Sequence, residues 1–126
     1  MNYPPFYLEG KINPALINDQ GQNNVSVLAN QLKEGKSRLN SNQLRKFYDS
    51  FLRIYNSKVD DEAKKVQLMV MKANVEYAAG RLKIYEFADF IKDRVNTVIR
   101  RNDDFNKYLE AFKLHFEALV AYFPKK

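Results

Sequence analysis

Cysteine and tryptophan are absent from this chain, and histidine occurs once, as His115. Without cysteine there is no structural disulfide and no thiolate metal site, which fits a reducing cytosol. With a single histidine there is no His-based metal set and no Ser-His or Cys-His pairing for nucleophilic catalysis. The four glycines are scattered, so no Gly-rich phosphate loop is present. The longest apolar stretch, Ala118–Phe123, is far short of the roughly 20 residues of a membrane span. Met1–Gly10 holds two prolines and an acidic residue where a secretory signal would have a basic start and an apolar run. These absences lead to the expectation of a soluble, cytoplasmic protein that is not an enzyme, uses no cofactor or metal, and has no membrane partner.

What is present is basic charge, unevenly placed. The chain has 126 residues and a net charge of +6, enough for one domain that folds without staples. Residues 33–58 carry seven Lys/Arg against Glu34 and Asp49, and residues 64–83 carry five against Glu76. After residue 83, eight basic residues face seven acidic ones, so the excess belongs to the middle of the chain.

Residues 1–24 contain three of the four prolines and a polar run from Asn18 to Asn24, and read as a flexible arm with little regular structure. Residues 25–126 read as a helical domain. Val25, Leu28, Ala29 and Leu32 give a short first helix that Gly35 would stop. A second helix is expected from about Ser41 to Ser57, with Asn40 as N-cap and Gln43 completing a capping box. A third opens with Asp60, Asp61 and Glu62, which suit the positive end of the macrodipole, and would end at Gly80. It is apolar nearly all round, with narrow polar strips at Gln67/Asn74 and Lys65/Lys72/Glu76, so it is expected to be the central helix. A fourth spans about Tyr85 to Arg100. After an Asn102-Asp103-Asp104 turn, a fifth keeps Phe105, Leu109, Phe112, Phe116 and Leu119 on one face until Pro124. The fold class is therefore all-α, a compact bundle of four long helices and one short one.

On the second helix, about 100° per residue puts Arg45, Lys46 and Arg53 on one side and Leu44, Phe47, Phe51, Ile54 and Tyr55 on the other. A cationic face set against a core points to a protein that holds a polyanion. Two readings of Gly80-Arg81 stand open. One is an ordinary glycine helix end with a favourable cation; the other is an arginine presented from a rigid base to grip a phosphate. His115 sits at the edge of an apolar stripe and reads as a boundary residue.

Three segments then resemble a known family: Asn42-Gln43-Leu44-Arg45-Lys46-Phe47-Tyr48, Tyr77-Ala78-Ala79-Gly80-Arg81 and Phe116-Glu117-Ala118-Leu119-Val120-Ala121-Tyr122. In this order they resemble the small subunit of type III-A CRISPR effector ribonucleoproteins, the Csm complex. The resemblance implies a non-catalytic subunit of antiviral defence, stacked in several copies beside the backbone and large subunits and helping to hold the crRNA and target RNA. It implies Arg45, Lys46, Arg53 and Arg81 as nucleic-acid-binding residues, with Lys36, Arg38 and Lys83 as weaker neighbours. A guide–target duplex is read through backbone shape and charge, so lysine and arginine suffice. Tyr3, Phe6 and Tyr7 in the arm are candidates for docking on a neighbouring subunit. The competing readings are a helix-turn-helix DNA-binding regulator and a purely structural helical adaptor.

Overall fold

The computed structural model describes residues 3–34 and 38–124. Five helices dominate: α1 (Val25–Glu34), α2 (Ser41–Tyr55), α3 (Asp61–Leu82), α4 (Tyr85–Ile99) and α5 (Phe105–Tyr122). The all-α class holds, with one two-stranded addition near the N-terminus. Gly35, expected to stop α1, lies outside the described residues.

Local signals form the helix starts. Asn40 caps α2: its side chain accepts from the Gln43 N–H at 2.9 Å, and the Gln43 side chain accepts from the Asn40 N–H at 3.0 Å. Asp60 caps α3 by accepting from Ala63 N–H at 2.8 Å. At the α4–α5 turn Asp104 precedes α5. Asp104 makes no side-chain cap bond and instead receives the Arg101 guanidinium through two hydrogen bonds, which lowers its carboxyl pKa.

Residues 3–24 pack onto the bundle. Strands β1 (Tyr7–Leu8) and β2 (Lys11–Ile12) pair antiparallel around Glu9 and Gly10, whose φ angles of 52° and 78° make the tight hairpin turn. A short 3-10 turn follows at Pro14–Leu16, capped by Asn13. Phe6 and Leu16 are buried in the core, and the Arg94 guanidinium donates to the Pro4 carbonyl at 2.8 Å. Tyr3 donates its hydroxyl proton to Asp89 at 2.8 Å, and Tyr7 donates to the Lys107 carbonyl at 2.8 Å. The three aromatics expected to dock on a neighbour are thus used within the chain. Prolines and polar residues break helices but do not prevent a strap from burying one large ring.

The core is aromatic. Phe51, Phe112 and Phe116 lie with ring centroids 4.6–5.9 Å apart, joined by Phe87, Phe90 and Tyr48. The helix at its centre is α5, which packs against α1, α2, α4 and the 3-10 turn. The expectation that α3 is central is corrected: α3 packs mainly against α4 and α2 and leaves Val66, Met69, Val70 and Tyr77 exposed. Of the Lys65/Lys72/Glu76 strip, the two lysines turn inward and Glu76 stays exposed. Lys65 is buried, with its Nζ 5.3 Å from the Phe105 ring centroid and 3.4 Å from Asn102, and Lys72 donates to Asn96 at 2.7 Å. Long lysine stems cover apolar surface while their ammonium groups reach polar partners at the rim, Lys72 on α4 and Lys65 at the α4–α5 turn.

Two further expectations change. Helix α3 continues through Gly80 to Leu82, and its left-handed C-cap is Lys83 at φ 60° and ψ 43°, which donates its N–H to Ala79. His115 is fully buried, edge-on to Phe90 at 5.3 Å, instead of lying at a boundary.

Candidate nucleic-acid interface

Helix α2 presents its cations because its opposite face is held by packing. Leu44, Tyr48 and Phe51 are buried, whereas Arg45, Lys46 and Arg53 are exposed. Among the described residues the ion pairs are Lys65–Glu62, Arg94–Asp93 and Arg101–Asp104, so none of the candidate cations is neutralised by one. Arg45 borders grooves against the end of α5, beside Tyr48, Glu117, Val120 and Phe123. There the Tyr48 hydroxyl pKa is pushed up to about 12, by burial first and then by Glu117. Glu117 is the one carboxylate beside Arg45 in that groove, and it limits how much negative charge the groove itself would accept.

Tertiary contacts bring the separate basic segments together. Ser57 donates to Gln67 at 3.1 Å and Lys64 donates to the Tyr55 carbonyl at 3.0 Å, which pins the end of α2 to the start of α3. The start of α4, which follows the end of α3, in turn meets the first half of α2. The Phe47–Phe87 ring contact at 5.2 Å fixes the same level from α4. Arg81 and Lys83 consequently share one end of the molecule with Arg45 and Lys46, and exposed Arg38 lies just before the α2 cap at that end. Arg53 stands apart, about 12 Å further along the helix axis. Lys36 lies outside the described residues.

Arg81 is exposed and lies over the ring of Tyr77 at 5.9 Å from its centroid. It is presented from the last turn of α3, with its backbone fixed by the helix and not by a glycine stop. Sequence reasoning did not single out Tyr77, which is exposed. An i, i+4 aromatic–arginine pair was the available signal.

The acidic trio at the start of α3 is used structurally. Asp60 caps the helix, Asp61 accepts from Asn106 at 3.2 Å and Glu62 pairs with Lys65 at 3.4 Å. Among the described residues, no group of three or more histidines or carboxylates is placed to hold a metal ion. No helix of these residues is long and apolar enough to cross a membrane.

The exposed cations on rigid supports are matched by relationship. A family model described as Csm2 Type III-A matches residues 18–125. The chain belongs to the Csm2 family. Csm2 proteins are the structural small subunit of the type III-A CRISPR complex, so this chain associates with other Csm subunits. The match covers α2, the α3 end and α5, where the three resembling segments lie. No curated protein matches the chain, and no solved structure matches it.

Proposed function

We propose that this Csm2 family member is a non-catalytic, cytoplasmic RNA-binding subunit that stacks in several copies along the Csm complex, beside the backbone and large subunits, and holds crRNA and target RNA on its basic face. One observation carries the reading: Arg45, Lys46, Arg81 and Lys83 are exposed and outside the ion pairs of the described residues, on the first half of α2 and at the end of α3, which the Phe47–Phe87 contact brings to one level, with Arg53 further along α2. Rigid, unneutralised cations contact phosphates without reading bases, which suits a duplex whose sequence is read by pairing. Each copy supplies few contacts, and stacking multiplies them.

The test is recovery of the tagged protein from cells that contain the complex, followed by sequencing of the RNA that accompanies it. Processed repeat-derived guide RNA should be enriched in wild type and depleted when Arg45, Lys46 and Arg53 are changed together to alanine. Retention of the other subunits without any loss of RNA in that variant would instead favour the structural adaptor.

A further inference from the structure

Between the first half of α2 and the last turns of α5 lies a groove of about 280 Å³, lined by Arg45, Tyr48, Glu117, Val120 and Ala121. A second groove continues from Arg45 and Val120 toward Ser41, Asn42 and Phe123. Packing fixes both walls. The Tyr48 ring meets the fully buried Phe116 ring at 5.1 Å, and the next residue along α5, Glu117, is left exposed.

Glu117 is the feature of this wall that phosphate contacts do not account for. It lines the groove with Arg45, yet the ion pairs of the described residues do not include these two, so opposite charges stand across a gap. Tyr48 donates its hydroxyl proton to Glu117, which orients the carboxylate. The two carboxylate oxygens offer about four acceptor positions and no donor, so places remain open once the tyrosine is served. Such a groove repels a phosphate from Glu117 and accepts one only at Arg45.

We infer that the groove takes one unpaired guanine nucleotide of an RNA strand, with the base against Val120 and Ala121, its N–H edge on Glu117 and its phosphate on Arg45. Guanine is singled out by its donors. Its Watson–Crick edge carries a ring N–H beside an exocyclic amine, and two adjacent donors match the two oxygens of a carboxylate. Adenine and cytosine set their amine beside a bare ring nitrogen, whose lone pair would face the second oxygen. Uracil has a single N–H between two carbonyls. Base pairing occupies this edge in a duplex, so only an unpaired residue presents it. The volume lies just below the roughly 300 to 1,000 Å³ of small-molecule sites, which suits one nucleotide and not a helix. This contact presupposes the proposed RNA-binding function and adds base identity to contacts that depend on charge alone.

The test titrates the full chain with labelled oligouridine, either unsubstituted or carrying one central guanosine, inosine or adenosine. Wild type should bind the guanosine strand about tenfold more tightly than the unsubstituted one, the scale of a two-bond base contact. Inosine keeps the ring N–H and lacks the amine, so it should fall between them, and adenosine should match uridine. Glu117→Ala should abolish the preference without weakening the unsubstituted strand, because it removes the acceptors together with a negative charge. Tyr48→Phe should reduce the preference with melting little changed. Arg45→Ala should weaken all four strands alike and lower the salt dependence of each. The Val120 methyl signals in NMR spectra should move further with the guanosine strand than with the unsubstituted one.

A wild type that binds RNA with the expected salt dependence but ignores guanosine would overturn the inference and leave the RNA-binding function standing. A preference that survives Glu117→Ala would put the base elsewhere and overturn the site. If that variant also lost the other Csm subunits, the groove would belong to a protein partner. No binding of any strand at roughly 100 µM, the weak end of non-specific binding, would remove the RNA-binding function and the site together.

Discussion

The Arg94 guanidinium lies 4.2 Å from the centroid of the Phe6 ring, and this contact ties the N-terminal strap to α4. Arg94 is buried, which lowers its pKa, and it is held by Asp93 at 2.6 Å and by the Pro4 carbonyl at 2.8 Å. A buried cation is tolerable here because its donors are used and its flat face meets an aromatic. Arg94→Ala should cost about 2 to 4 kcal/mol in urea unfolding. Amide exchange should speed up first in residues 6–13. Uniform loss of protection across all helices, with the strap no more affected than α2, would show that Arg94 does not act through the strap.

His115 has no hydrogen-bond partner on either ring nitrogen, and its pKa is lowered to about 3, by burial first and then by the nearby charge of Arg94. Below about pH 6.5 the unfolded chain binds a proton that the folded chain refuses until about pH 3, so stability should fall as pH drops through that window. His115→Leu removes both the unpaired polar atoms and this titration. It should raise stability by about 1 kcal/mol at neutral pH and flatten the decline on acidification. Denaturant titrations at a series of pH values compare the two slopes, and parallel profiles would contradict the assignment.

Gly80 sits inside a helix, and a Cβ built there meets nothing within 4 Å. Gly80→Ala should therefore stabilise the fold by about 1 kcal/mol. Lys83 occupies the left-handed cap at φ 60°, so Lys83→Gly should also stabilise, by about 1 kcal/mol. Thermal melting of both variants decides the matter. Destabilisation by Gly80→Ala would return the helix end to Gly80.

Arg45→Ala, Lys46→Ala and Arg53→Ala should each weaken RNA binding and lower the salt slope by about 0.7, with stability changed by less than about 0.5 kcal/mol. Phe51→Ala removes a ring that is fully buried among Phe112 and Phe116 and should cost about 3 to 5 kcal/mol. Labelled-RNA titrations at several salt concentrations, run beside melting curves, must separate the two classes of variant.

Arg81→Lys tests a planar grip against a simple charge. A guanidinium can bind a phosphate through two parallel hydrogen bonds and stack on Tyr77 at 5.9 Å, whereas an ammonium cannot. Arg81→Lys should reduce RNA binding nearly as much as Arg81→Ala, with melting little changed in either. Wild-type affinity in Arg81→Lys would reduce Arg81 to a favourable charge at a helix end.

The amino-acid sequence alone determined the helices, the Asn40–Gln43 capping box and the orientation of α2, because caps and 3.6-residue periodicity act within a few residues and α2 has one clear apolar face. Its three short segments also carried the family, and its charge distribution marked the basic stretches. Only the tertiary structure decided which helix is central, because α3 is apolar on more than one side and a local pattern cannot say which side finds a partner. There Lys65 turned inward over Phe105 and the α4–α5 turn and Lys72 over α4, leaving Val66, Val70 and Tyr77 in solvent. Burial of Phe6 and His115 was likewise set by residues about 90 or more positions away or on a neighbouring helix, as was the strap clamp at Arg94. These contacts compete for a shared core, and that competition is settled only when all the helices pack together.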